Sequence, residues 1–225
     1  VANIIVCVPS TREYKPFLES FDNFINKIRE KHLVLTFFVK DRKLVDIQNE
    51  AAQKLLSGNW DYLLFMDDDH WGHTPEMLEC LIKANSCMAT IKSYIRHYPY
   101  MCALLKKLDN GLYVGIEDGH GYMECDVTGF PMTLIRKDLF NNLQKPYFRE
   151  FTDGIREWAT DGEFCERLSY TGIKPVGCFQ HCLAHGDITE ENVLQKRLED
   201  GVSTDKQMIN FIYSQLGDSI CSVKQ

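Results

Sequence analysis

The chain of 225 residues lacks an apolar stretch long enough to span a membrane, a CxxC pair, an internal repeat, a low-complexity run and a linker. The first absence excludes a transmembrane helix. The last three leave one mixed α/β domain over 1–225 as the simplest organisation, long enough for one substantial core. Positive charge is scarce: 25 Lys and Arg stand against 32 Asp and Glu, a formal charge of −7, which disfavours non-specific binding to a polyanion. Glycine is missing from Pro9-Ser10-Thr11-Arg12, so no Gly-rich phosphate loop follows the first strand-like run. That run, Asn3 to Val8, opens the chain with neither Met nor a signal peptide, and a trimmed amino terminus is expected. The nine cysteines are odd in number and several lie in apolar runs. They read as small core residues in a reducing compartment, the cytoplasm or a host-cell cytoplasm, rather than as a disulfide framework.

Periodicity supplies the elements. Ile4 to Val8, Leu33 to Val39 and Asp61 to Met66 read as strands, with amphipathic helices at Tyr14 to Lys31 and Leu44 to Leu56 between them. This β-α-β-α-β order predicts a parallel, nucleotide-binding half. A helix over Thr74 to Ala84 and a strand over Cys87 to Ile95 follow. The second half predicts short strands at Tyr113 to Ile116, Gly121 to Val127 and Pro131 to Arg136, then a short helix over Lys137 to Asn142. Residues 143–159 read as a functional loop, Asp161 to Thr171 as a helix, Ile173 to Gln180 as a strand, and Thr189 as the start of a final helix with acidic residues in its first turn.

Three constellations carry chemistry. Asp67-Asp68-Asp69-His70 follows the apolar run Tyr62 to Met66, so carboxylates crowd at a strand's carboxyl end, where open α/β sheets bind ligands. Hard oxygen ligands there suit Mg2+ or Mn2+ with a nucleotide diphosphate; a solvated helix-capping turn is the bland alternative. In Thr160-Asp161-Gly162-Glu163, either Thr160 or Asp161 is a helix N-cap with Glu163 as its partner in the first turn, or Asp161 is a general base projecting into a cleft. In Cys178-Phe-Gln-His181-Cys182-Leu-Ala-His185, the options are a crowded zinc cluster, a structural His, or a His reaching the aspartates.

In this order the pieces resemble glycosyltransferases of the GT-A fold, of the inverting family 2 type. The resemblance rests on Val8-Pro9-Ser10-Thr11-Arg12, Ile47-Gln48-Asn49-Glu50-Ala51, Leu64-Phe65-Met66-Asp67-Asp68-Asp69-His70, Thr128-Gly129-Phe130-Pro131 and Thr160-Asp161-Gly162-Glu163 with a late His. It implies a Rossmann-like nucleotide-sugar half over 1–95, an acceptor and catalytic half over 96–187, and a C-terminal helical segment over 188–225. Asp67-x-Asp69 matches the DxD motif: Asp67 and Asp69 bind the metal with His185, and Asp67 or Asp68 holds the ribose. Pro9, Ser10, Thr11, Arg12, Asp41 and Asn49 fall to the nucleoside pocket. Asp161 matches the catalytic base, with Thr160 standing where the family has Glu. Gly129, Trp158 and Thr160 fall to the acceptor side, and Tyr147, Phe148 and Phe151 join Trp158 in a lid or else pack in the core.

The expectation is a metal-dependent inverting transferase using Mn2+ or Mg2+ and a nucleotide sugar, a UDP-sugar, on the hydroxyl of a glycan, a protein or a modified DNA base. Arg136, Lys137, Lys145, Arg149 and Arg156 supply local basic content, either for such a polyanion or as a solvated face. The rivals are a sugar-nucleotide nucleotidyltransferase and a non-catalytic sugar-nucleotide-binding module.

Overall fold

The computed structural model describes residues 1–10, 13–96, 100–152 and 157–200. Strand β1 (Asn3–Ser10) leads to α1 (Lys15–Ile28), β2 (Leu33–Lys40), α2 (Leu44–Ser57) and β3 (Tyr62–Met66). A two-residue strand β4 (His70–Trp71), α3 (Pro75–Lys83) and β5 (Met88–Lys92) complete the first half. Then come β6 (Leu104–Lys107), β7 (Tyr113–Gly115), β8 (Tyr122–Glu124), β9 (Val127–Thr128), β10 (Met132–Arg136) and a 3-10 helix over Lys137–Asn142. The short pair β11 (Phe151–Thr152) and β12 (Glu157–Trp158) precedes α4 (Thr160–Ser169), β13 (Val176–Cys182), β14 (Ala184–His185) and α5 (Glu190–Asp200).

The main sheet has seven strands in the order β2-β1-β3-β10-β5-β13-β8. β1 runs parallel to β2 and β3, while β10 is antiparallel to both β3 and β5. A strand from the second half therefore sits inside the first half's sheet. Ile4 to Val8 of β1 are all apolar because both faces of the strand are covered. Ile4, Val6 and Val8 pack with Phe17, Phe24 and Ile28 of α1, whereas Ile5 and Cys7 pack with Ile47 and Leu55 of α2. Burying a side chain such as Phe17 or Phe24 contributes about 1.5–3 kcal/mol, so the helix pattern and the strand run stabilise each other.

Differences from the sequence reading have local causes. The strand expected over Gly121 to Val127 splits, because β8 pairs with β13 while β9 pairs with β6. The break falls at Cys125 and Asp126, whose N–H groups donate to Pro175 and Leu105. β6 was not foreseen. The reading of all nine cysteines as free fails for one pair: Cys80 on α3 and Cys178 on β13 form a disulfide. Both lie in one buried cluster, yet 98 residues separate them, so each reads as an ordinary core residue of its own element.

Candidate metal and nucleotide site

Asp67, Asp68 and Asp69 leave the carboxyl end of β3 and turn directly into β4. β4 pairs antiparallel with β14, setting His185 opposite His70 and Ala184 opposite Trp71. This pairing brings His185 to the aspartates. Its Nε2 lies 3.2 Å from Asp69 Oδ2, and His70 Nδ1 lies 3.0 Å from Asp69 Oδ1. The two imidazoles stack at 4.0 Å between centroids.

The proton positions follow from the partners. His185 Nδ1 lies 2.8 Å from the Tyr94 carbonyl, which can only accept, so Nδ1 carries the hydrogen. In the neutral ring Nε2 then presents a lone pair to a carboxylate oxygen. Two acceptors that close require a cation, a proton or a metal, between or beside them. His70 is buried, and burial pushes its pKa down to about 4, which keeps it a neutral imidazole. Burial also acts to raise the Asp69 pKa, but the neighbouring His185 and His70 outweigh it and hold the carboxyl below the usual range. Ligand atoms of Asp69, His70 and His185 all lie within 4.8 Å of one another, the group among the described residues that could hold an ion. The donor set thus fits a divalent metal.

The surrounding backbone fixes this corner. The Gly186 N–H donates to the Asp69 carbonyl at 2.8 Å. The Gly186 carbonyl accepts from Trp71 Nε1 at 2.8 Å and from Tyr14 Oη at 2.9 Å. Gly186 has φ of 59°, a conformation that favours glycine, and a side chain there would also crowd the Arg96 guanidinium at 3.1 Å. Arg96 Nη1 in turn lies 3.5 Å from Asp69 Oδ2.

A cavity of about 280 Å³ opens beside the cluster. It gathers Pro9, Ser10, Asp67, Asp68, Asp69 and His185, and adds Arg42, Leu44, Ile47 and His70, to which the motifs assign no binding role. Asp68 and Ser10 are buried, Asp67 and Asp69 half-buried. Arg42 is held by Glu50 at 2.6 Å. The neighbouring Asp41 is exposed, at φ of 56°, and is not part of the lining; Arg42 takes that place. Asn49 does not line the cavity either. Its amide donates to Val45 O and Phe148 O and accepts from Phe148 N, which ties α2 to the chain before β11. Thr11 and Arg12 lie outside the described residues. Larger cavities exist, one of about 530 Å³ lined by Ala2, Asp61 and Tyr62 at the opposite, amino end of the parallel strands. Of its charged groups Lys31 pairs with Glu79 and Arg136 with Asp138, and ligands of open α/β sheets bind at the other end.

Asp161 stands on that same carboxyl end. β10 runs antiparallel to β3 and starts with Met132 opposite Met66, so Gly129 to Pro131, which lead into β10, come from beyond the carboxyl end of β3. A methyl group on Gly129 would lie 3.4 Å from Asp161 Oδ2. The N-cap of α4 is Ala159, without a side-chain hydrogen bond, so neither Thr160 nor Asp161 is the cap that one reading expected. Asp161 Oδ1 accepts from the Gly162 N–H at 2.8 Å, and desolvation by burial raises its pKa above the ordinary value. Thr160 is buried, one turn from Glu163. Glu163 is itself buried and paired with Arg149 at 2.5 Å and Arg167 at 2.9 Å.

The lid is corrected in part. Tyr147 and Phe148 are buried, and Phe148 stacks on Phe164 at 4.6 Å and meets Phe65 and Phe130 edge-on. They are core residues, drawn in because four aromatics close one pocket there. Phe151 is exposed on β11; the Trp158 side chain and Arg156 lie outside the described residues. The basic content is engaged internally: Arg136 by Asp138, Lys137 by Gly58 O, Arg149 by Glu163, and Lys145 over the Tyr147 ring. The zinc alternative loses a ligand, since the Cys178 sulfur is bonded to Cys80.

No protein-family model and no curated protein sequence matches this chain. Solved structures do. The chain is similar to A197 from STIV, with a TM-score of 0.55 at 15% identity over 84% of this chain and 87% of that one. It is similar to GalNAc-T7, solved with UDP, GalNAc and Mn2+, with a TM-score of 0.55 at 11% identity over 88% of this chain and 48% of that one. It is also similar to glucosyl-3-phosphoglycerate synthase from Mycobacterium tuberculosis, solved with Mn2+, UDP-glucose and phosphoglyceric acid. There the TM-score is 0.52 at 11% identity over 89% of this chain and 80% of that one. At these identities the likeness establishes the fold: a GT-A-like α/β fold around a mixed seven-stranded sheet.

Proposed function

We propose that this chain is a metal-dependent inverting glycosyltransferase, moving a sugar from a UDP-sugar to an acceptor hydroxyl. The observation that carries the reading is the pair Asp69 Oδ2 and His185 Nε2 at 3.2 Å, with His185 Nδ1 committed to the Tyr94 carbonyl. Such a pair is built to share a cation, and it lines the cavity that Pro9, Ser10 and Asp68 also line. GalNAc-T7 and the glucosyl-3-phosphoglycerate synthase, whose fold this chain shares, were solved with Mn2+ and UDP or UDP-glucose.

Asp69, His185 and His70 would hold the ion, with Asp67 beside them. Two imidazoles with carboxylate shift the preference from Mg2+ toward Mn2+-like ions. When bound, the ion supplies positive charge beside the leaving diphosphate. Pro9, Ser10 and Arg42 would border the nucleoside, and Asp67 or Asp68 would take the ribose hydroxyls. Asp161 would accept the proton of the acceptor hydroxyl as that oxygen bonds to the anomeric carbon. The bond from that carbon to the diphosphate oxygen breaks on the opposite face, and the nucleoside diphosphate departs. The raised pKa of Asp161 suits this role, because a general base works best when its pKa approaches the working pH. The acceptor is the hydroxyl of a glycan, a protein or a modified DNA base.

The test is a panel of nucleotide sugars with Mn2+, scored for donor hydrolysis and thermal shift. UDP-sugars should stabilise the protein and be hydrolysed only with metal present. Release of pyrophosphate from a nucleoside triphosphate and a sugar phosphate would identify a nucleotidyltransferase instead. Binding of a nucleotide sugar without any turnover would indicate a non-catalytic module.

A further inference from the structure

α5 lies outside the cavity, yet it presses on the residue that orients His185. Glu190, Val193 and Arg197 recur at three- and four-residue spacing, so they share one stripe of the helix. Val193 is buried in a cluster with Tyr94, Cys102 and Leu104. On either side of it the stripe makes ion pairs. Glu190 Oε1 lies 2.5 Å from Lys92 Nζ, and Arg197 Nη2 lies 2.5 Å from Glu117 Oε2. Arg197 Nη2 also donates to the Tyr100 carbonyl at 2.8 Å.

Both cations converge on one ring. Arg197 Cζ lies 5.0 Å and Lys92 Nζ 5.1 Å from the centroid of Tyr94. Lys92 also hydrogen-bonds to the Tyr94 hydroxyl, and because Tyr94 is almost fully buried both contacts are little screened by solvent. The Tyr94 backbone is also tied, bridging antiparallel to Cys102. Its carbonyl then accepts the Nδ1 hydrogen of His185.

We propose that Arg197 is a positioning residue for the metal site: with Lys92 it clamps the Tyr94 ring, and so fixes the carbonyl that holds His185 in its Nδ1–H tautomer with Nε2 toward Asp69. This rests on the proposed metal site, and deepens it. Outer partners of metal-binding histidines fix tautomer and ring orientation, and their loss weakens binding about 10–100-fold. α5 is therefore part of the site without touching it.

The experiment has two readouts on the full chain. Nitrogen-15 spectra of the imidazoles report, without metal, whether the His185 Nδ1 hydrogen is held against the Tyr94 carbonyl, and calorimetry reports Mn2+ affinity in the presence of UDP. In the wild type His185 should show one state, with Nδ1 fully protonated. In Arg197→Gln it should show a mixture, with Mn2+ affinity down at least about tenfold. Arg197→Lys, which keeps the cation, should recover most of both. Val193→Ala should lower the melting temperature yet leave tautomer and affinity within about twofold of wild type. Should Arg197→Gln fail to fold, Lys92→Met is read in the same way. An unchanged His185 tautomer in the folded clamp variant overturns the inference. So does a Val193→Ala variant that loses Mn2+ as strongly as Arg197→Gln, since the helix would then act through stability alone. If wild type binds no Mn2+, the metal reading fails, and the tautomer alone still decides whether the clamp orients His185.

Discussion

Gly129 leaves room beside Asp161: a methyl group there would stand 3.4 Å from Oδ2, the oxygen opposite the one that takes the Gly162 N–H. Gly129→Ala is therefore tolerated by the fold, with a stability change within about 1 kcal/mol. The methyl would nonetheless cover the oxygen that must meet the acceptor. Transfer should fall by about tenfold or more with UDP affinity unchanged, as read by steady-state kinetics and calorimetry. Full transfer activity in this variant would move the acceptor away from that oxygen.

Asp161→Asn keeps an oxygen for the Gly162 N–H and removes the base. Turnover should drop by at least about a hundredfold while UDP binding persists. The product formed by the wild type should carry inverted anomeric configuration. Retained configuration would exclude single displacement.

The raised Asp161 pKa has two consequences of pH. Transfer by the wild type should decline as pH falls through the folded pKa, at a midpoint above the ordinary value of 3.8. Stability runs the other way. A carboxyl that binds its proton more tightly when folded favours the fold most at low pH, and that contribution is lost as pH rises through the folded value. The melting temperature of Asp161→Asn relative to wild type should therefore rise with pH across this window. A difference that is flat with pH would contradict the raised value.

Asn49 separates packing from binding. Its amide makes three hydrogen bonds, two of them to the backbone of the buried Phe148. Asn49→Ala would strand those groups, at a cost of about 1–3 kcal/mol in denaturant unfolding. UDP affinity in Mn2+ should stay within about twofold. A large loss of affinity with little loss of stability would return Asn49 to the nucleoside pocket.

What the sequence disclosed follows from range. β3 is an apolar run stopped by three aspartates, and β1 one stopped by Pro9 and Ser10, so strand tips and cavity floor are visible locally. α1 shows its face through Phe17, Phe21, Phe24 and Ile28. β4 and β14 span two residues each and carry no period, and the link from His70 to His185 depends on their pairing. The role of His70 was invisible for that reason. Composition does not separate a buried Phe148 from a lid residue, because the decision rests with Phe65, Phe130 and Phe164 from distant segments. Cys80 and Cys178 were hidden likewise. Arg42 was passed over for Asp41, since only the backbone turn at Asp41 decides which of the two borders the cavity.

Asp69 and its histidines, in the proposed function, hold a divalent ion for a nucleoside diphosphate. Calorimetric titration of UDP into wild type and Asp69→Ala, each with Mn2+ and with chelator, is the decisive measurement. Wild type should bind UDP tightly only with Mn2+, Asp69→Ala should lose that dependence, and the circular dichroism spectrum of the variant should be unchanged. Equal UDP affinity in wild type with and without Mn2+, or Mn2+-dependent binding that survives in Asp69→Ala, would contradict that role.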